Sequence, residues 1–132
     1  MQITVLIENT SNCSLCAEHG LSVYIEYNGM NYLLDTGASD TFSKNAQELG
    51  ISLADIDIAF LSHAHYDHSG GFEEFFKENS KAPVYLQGTS AENCYYRPDR
   101  KLKCSQSPTC VDFTGFNGIQ NCVLCNTFRI LS

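Results

Sequence analysis

The sequence predicts an α/β fold: one mixed β-sheet with helices packed on one of its faces. Two observations carry this. Short runs rich in β-branched residues come first, separated by turn signals. Amphipathic helical segments then alternate with apolar runs of strand length. A chain of 132 residues suits one domain with a real core, and 43% hydrophobic against 17% charged residues is a globular balance.

The elements follow in order. "QITVLIE" (2–8) alternates and reads as a strand. Residues 9–20, "NTSNCSLCAEHG", are small and polar and read as a loop. "LSVYIEY" (21–27) and "MNYLLD" (30–35) read as two strands joined by Asn28-Gly29, a strong hairpin signal because both residues tolerate positive φ. Asp35 then stands at a strand end. Ser39 or Asp40 can cap the next helix, "TFSKNAQEL" fills it, and Gly50 ends it. "DIDIAFLS" (55–62) suits a buried central strand, and "HAHYDHSGG" (63–71) a loop. "FEEFFKEN" (72–79) reads as a short amphipathic helix with Phe72, Phe75 and Phe76 on one side. "APVYLQG" (82–88) is a further strand with Pro83 at its start.

The character changes near residue 100. Residues 1–100 hold 14 of the 15 acidic residues; residues 101–132 hold only Asp112, yet four of the seven cysteines. A short strand is expected near 126–131, and the rest of this Cys-rich tail shows no periodicity. The net charge of -7 argues against nucleic acid and anionic membrane as partners. The N-terminus lacks a basic start and a long apolar run, so a cytoplasmic protein with reduced thiols is expected. An odd cysteine count rules out a complete disulfide framework within one chain.

Chemistry concentrates in "HAHYDH". His63, His65, Asp67 and His68 fall within six residues, directly after an apolar strand, and include three of the four histidines. Imidazole nitrogen and carboxylate oxygen are common zinc ligands, and a mixed set keeps the metal Lewis-acidic. Histidines two apart on an extended loop can grip one ion. Asp67 and His68 can reach a second, or Asp67 can act as a base towards a metal-bound water. A polar loop that happens to be histidine-rich is the bland alternative; the spacing, the preceding strand and the following Ser69-Gly70-Gly71 weigh against it.

This H-x-H-x-D-H motif resembles the signature of the metallo-β-lactamase superfamily. The segment from Gly20 to Gly71 is similar to its branch of 7,8-dihydropterin-6-methyl-4-(β-D-ribofuranosyl)aminobenzene-5′-phosphate synthase-like hydrolases, and the resemblance covers about residues 2–93. It implies the N-terminal half of an αββα sandwich, with residues 1–100 forming the half domain and 101–132 an atypical tail. It implies two metals, zinc or sometimes iron or manganese, with His63 and His65 on the first and Asp67 and His68 on the second. A small-molecule substrate, phosphorylated or pterin-like, is implied with them. The family also needs a third histidine on the first metal, a bridging carboxylate, and a last histidine on the second. No histidine follows His68, and the surroundings of Asp112 do not match the family pattern. Weak metal binding, little turnover from this chain alone, and self-association through an uncovered apolar sheet face are the expectations. The tail reads as divergent, or as the product of a truncated or shifted reading frame.

Two rivals deserve weighing. "YLLDTGASD" also matches the active-site strand of a retroviral-type aspartic protease, with Asp35 as the acid, but a glycine-rich flap is missing and the histidine cluster stays unexplained. Beside a metal loop, Asp35 is instead a residue that orients a ligand, or a plain turn carboxylate. Cys13-x-x-Cys16 and Cys122-x-x-Cys125 allow a Cys₄ zinc staple in a non-catalytic interaction module, against four unrelated thiols. His19 reads as facing solvent.

Overall fold

The computed structural model describes residues 1–87 in full, and beyond them the backbone of three short strands at 95–96, 103–104 and 122–125. Strands β1 (Gln2–Ile7), β2 (Ser22–Tyr27) and β3 (Met30–Leu34) form an antiparallel meander. Asn28 at φ 52° and Gly29 at φ 76° make the tight turn between β2 and β3, as the dipeptide predicts. Helix α1 (Thr41–Glu48) carries the chain across to β4 (Ile58–Leu61), which pairs parallel to β3. Short helix α2 (Tyr66–Ser69) and α3 (Phe72–Glu78) lead to β5 (Val84–Gln87), parallel to β4. Strands β6 (Tyr95–Tyr96) and β7 (Lys103–Cys104) pair with each other, and β8 (Cys122–Cys125) adds parallel to β5. The main sheet therefore runs β1-β2-β3-β4-β5-β8. The strand expected at 126–131 lies outside the described residues. None of the described helices is long and apolar enough to cross a membrane.

Period-two alternation sorts the sheet into two faces. Leu33, Ala59, Leu61, Val84 and Leu86 are buried in one core with Phe42 and Ala46 of α1 and Phe72 and Phe75 of α3. The opposite face is apolar too. Pairing registers align Ile3, Ile25, Tyr32 and Ile58 in one transverse row, and Val5, Val23, Leu34, Phe60 and Tyr85 in the next. On the edge strand, Ile3 and Val5 are 57% and 48% exposed.

The loop between β1 and β2 is more ordered than its composition suggests. Asn45 of α1 is buried and ties the loop to the end of β1: Nδ2 donates to the carbonyls of Leu6 (2.7 Å) and Cys16 (2.8 Å), and Oδ1 accepts from Cys16 N–H (3.0 Å). The N-terminus of α1 is held by the same loop. Asp40 makes no side-chain cap; the Ser39 hydroxyl accepts from Thr41 N–H, and Glu18 Oε1 accepts from the N–H groups of Ala38 and Ser39.

Asn45→Ala should orphan these buried backbone groups and cost roughly 2–4 kcal/mol. The measurement is a urea midpoint at unchanged slope; a midpoint equal to wild type would show that the loop is not held this way.

Candidate metal centre

Parallel pairing of β3 and β4 brings their carboxyl ends side by side, the usual place for a site in an open α/β sheet. Asp35 follows β3 and Ser62-His63 follows β4. Asp35 N–H donates to the Phe60 carbonyl at 2.9 Å, and its φ of 56° turns the chain out of the strand, a conformation Asp tolerates better than most residues. Its carboxylate is 1% exposed. Oδ1 accepts from Ser62 N–H (2.8 Å); Oδ2 accepts from the Ser62 hydroxyl (2.6 Å) and from His68 Nδ1–H (2.8 Å).

This hub orients two imidazoles. The single Ser62 hydroxyl proton goes to Asp35, so at 2.9 Å the same oxygen must accept from His63 Nδ1–H. His68 is bound directly and His63 through Ser62. Both rings then leave Nε2 free as a lone-pair donor, the arrangement that metal-binding histidines adopt.

The histidine loop is docked by backbone. Thr36 N–H donates to the His68 carbonyl (2.8 Å), Gly70 N–H to the Gly37 carbonyl (2.9 Å), and the Thr36 hydroxyl accepts from Gly71 N–H (3.1 Å). A Cβ on Gly70 would stand 2.2 Å from the Ala38 carbonyl oxygen, so only glycine allows this approach. "DTGA" and "HSGG" are two halves of one interface. Helix α2, within the stretch expected to be loop, turns Asp67 and His68 back towards His63 and His65. The rings of His63 and His65 have centroids 4.7 Å apart, those of His63 and His68 4.1 Å, and Asp67 Oδ2 lies 3.7 Å from His68 Nε2.

The donor set of three imidazoles and one carboxylate fits a Lewis-acidic divalent metal such as zinc. Yet among the described residues no three His, Cys, Asp or Glu side chains form a ready-made metal cluster. Orientation is in place and closure is not. Sequence reasoning missed Ser62, whose signal was only its position before His63, and Thr36, hidden inside a motif that suggested a protease. Of the two cysteine readings, the strand order favours four unrelated thiols over the staple. Cys13 and Cys16 are exposed and unpaired in the loop after β1, while Cys122 and Cys125 lie on β8 at the other edge of the sheet, five strand spacings or about 24 Å from β1.

The sequence pattern of the metallo-β-lactamase superfamily matches residues 17–119. The chain belongs to this superfamily. Members of the superfamily bind metal ions, and its fold accounts for the mixed sheet and one-sided helices. Among solved structures, Tm1679, described as a metal-dependent hydrolase of the β-lactamase superfamily, is 28% identical, with a TM-score of 0.67 over 96% of this chain and 42% of its own. The anti-Pycsar protein Apyc1 of Paenibacillus harenae is 36% identical over 73 residues, 52% of this chain and 30% of that protein. The 7,8-dihydropterin-6-methyl-4-(β-D-ribofuranosyl)-aminobenzene-5′-phosphate synthase of Methanocaldococcus jannaschii is 35% identical over 80 residues, 56% of this chain and 27% of that enzyme. The match thus spans under a third of each of these two curated relatives. Membership removes the protease reading, and the burial of Asp35 in three hydrogen bonds agrees.

Asp35→Asn keeps the left-handed backbone accessible and replaces an acceptor facing His68 with an amide. Metal affinity, followed by chelator competition, should fall by roughly 10–100-fold; unchanged affinity would make Asp35 a plain turn carboxylate. In the metal-free protein, burial first and then the neighbouring His68 and His65 hold His63 below the ordinary imidazole range. The unfolded chain therefore binds more protons between the two pKa values. This contribution to stability is whole above about 6.5 and is lost as pH falls from there through the folded value. Titration of the His63 ring by NMR checks it: a midpoint at or above the ordinary value would contradict the burial.

Proposed function

We propose that this chain is part of a metal-dependent hydrolase that acts on a phosphorylated or pterin-like small molecule. His63 and His65 would hold one ion and Asp67 and His68 a second, with zinc the best match to the donors and iron or manganese as substitutes. The single observation that carries the reading is the Asp35 hub, which sets His68 directly and His63 through Ser62 with Nε2 free. A plain histidine-rich loop has no need of a buried carboxylate that serves two rings.

When bound, such an ion supplies Lewis acidity that brings a water near neutral pKa. The protein's own part is distinct. Asp67, with its side chain 15% exposed, faces the cluster and would orient the attacking water and take its proton. Ser62 and Asp35 keep the rings from rotating, and the Thr36–Gly71 contacts keep the loop from lifting. The name of one relative supports the substrate class: it is the synthase of a dihydropterin-bearing ribofuranosyl-aminobenzene 5′-phosphate. Exposed, unpaired Cys13 and Cys16 accord with a cytoplasmic protein.

A non-catalytic remnant with a partial metal site is the rival, favoured by the lack of a closed cluster among the described residues. Metal content separates the two. After reconstitution with zinc, two ions per chain that vanish in the His63→Ala/His65→Ala double variant, together with hydrolysis of a chromogenic phosphate ester that Asp67→Ala abolishes, would support the hydrolase. No zinc retained, or one zinc surviving those changes and lost in Cys16→Ser, would overturn it.

A further inference from the structure

The segment Glu18–Leu21 ends the first loop and has no place in the metal motif. In the structure it clasps the turn that carries Asp67. Leu21 N–H donates to the Asp67 carbonyl (3.3 Å), and the Leu21 carbonyl accepts from Gly37 N–H (2.9 Å). A Cβ on Gly20, at φ 136°, would stand 2.0 Å from the Asp67 carbonyl oxygen, so the backbones touch where a side chain would otherwise part them. Glu18 ties the same segment to Ala38 and Ser39, its Oε2 also accepting from the Ser39 hydroxyl at 2.6 Å.

His19 sits inside this clasp. The Asn9 side-chain oxygen can only accept, so at 2.7 Å it takes the Nδ1–H of His19. That fixes the ring with Nε2 towards Asp67, 3.3 Å from Oδ2, where it donates to the carboxylate in the imidazolium form, in which both ring nitrogens carry a proton. The same carboxylate oxygen is 3.7 Å from His68 Nε2. Asp67 Oδ2 therefore lies between two imidazoles, one from the motif and one from a loop more than forty residues earlier in the chain. The side chain of His19 is 70% exposed and that of Asp67 15%, so the contact joins a residue at the surface to a largely buried carboxylate.

We infer that His19, held by Asn9, is a positioning residue for Asp67. It limits the rotation of the Asp67 carboxylate, and keeps Oδ2 beside His68 as the second ion would require. This rests on the reading of Asp67 as a metal ligand, and a group that holds a ligand in place typically changes metal affinity by roughly 10–100-fold.

The test uses the whole chain and Co²⁺ as a probe with a visible spectrum. His19→Ala should weaken Co²⁺ binding by roughly 10–100-fold and alter the absorption bands, with the thermal midpoint of the metal-free protein unchanged. Asn9→Ala should move both in the same direction by less. On an Asp67→Ala background, His19→Ala should have no further effect, because its action runs through that carboxylate. An unchanged affinity and spectrum in His19→Ala, or an equal loss on both backgrounds, overturns the inference. If the wild-type chain takes up no Co²⁺, the hydrolase reading fails and the metal-free protein decides this one. Long-range ¹H–¹⁵N spectra in which Asp67→Asn shifts the His19 ring resonances sustain the contact; unmoved resonances refute it.

Discussion

The buried carboxylate of Asp35 is the constraint on which the rest of the site depends. A carboxylate at 1% exposure is tolerable only if its lone pairs are used, and here three donors use them. Two of those donors lead to imidazoles. The demand to satisfy one buried charge thus sets the tautomer and direction of His63 and His68 together. The backbone pays towards this as well, since Asp35 leaves its strand in a left-handed conformation to aim the side chain.

That carboxylate can do this because β3 and β4 run parallel. Parallel strands end at the same edge, so residues that follow them in sequence meet in space. The helices that connect the parallel strands β3, β4 and β5 lie on one face and fill the core with Phe42, Phe72 and Phe75. The first loop closes the arrangement from outside. Asn45 and Glu18 hold it against α1, and its last residues lie against the Asp67 turn. Fold and site are coupled at Asp35 and Thr36, whose side chains satisfy backbone groups and also hold His68 and its loop.

A good deal of this was legible beforehand. The strands at 2–8, 21–27 and 30–35 and the helices at 41–49 and 72–79 announced themselves by alternation, turn dipeptides and phenylalanine spacing, and are found within a residue or two. The histidine cluster was visible because few structural purposes need H-x-H-x-D-H. Other parts were not visible. Ser62, Thr36 and His19 are ordinary residues in ordinary places, and their roles come from partners 27 to 48 residues away. The short helix α2 was hidden because four residues give too little pattern to read.

By itself, the sequence determined the element order, the mixed α/β class, the metal-type donors and the family they belong to, because these rest on local periodicity and on residue chemistry at short spacing. Only the tertiary structure decided what Asp35 does. Read along the chain, Asp35 is either a residue that orients a metal ligand or a plain turn carboxylate; read in space, it is the acceptor that aims two histidines. The physical reason is that hydrogen bonds between distant segments depend on strand order and register, and neither is written in the spacing of the residues that make them.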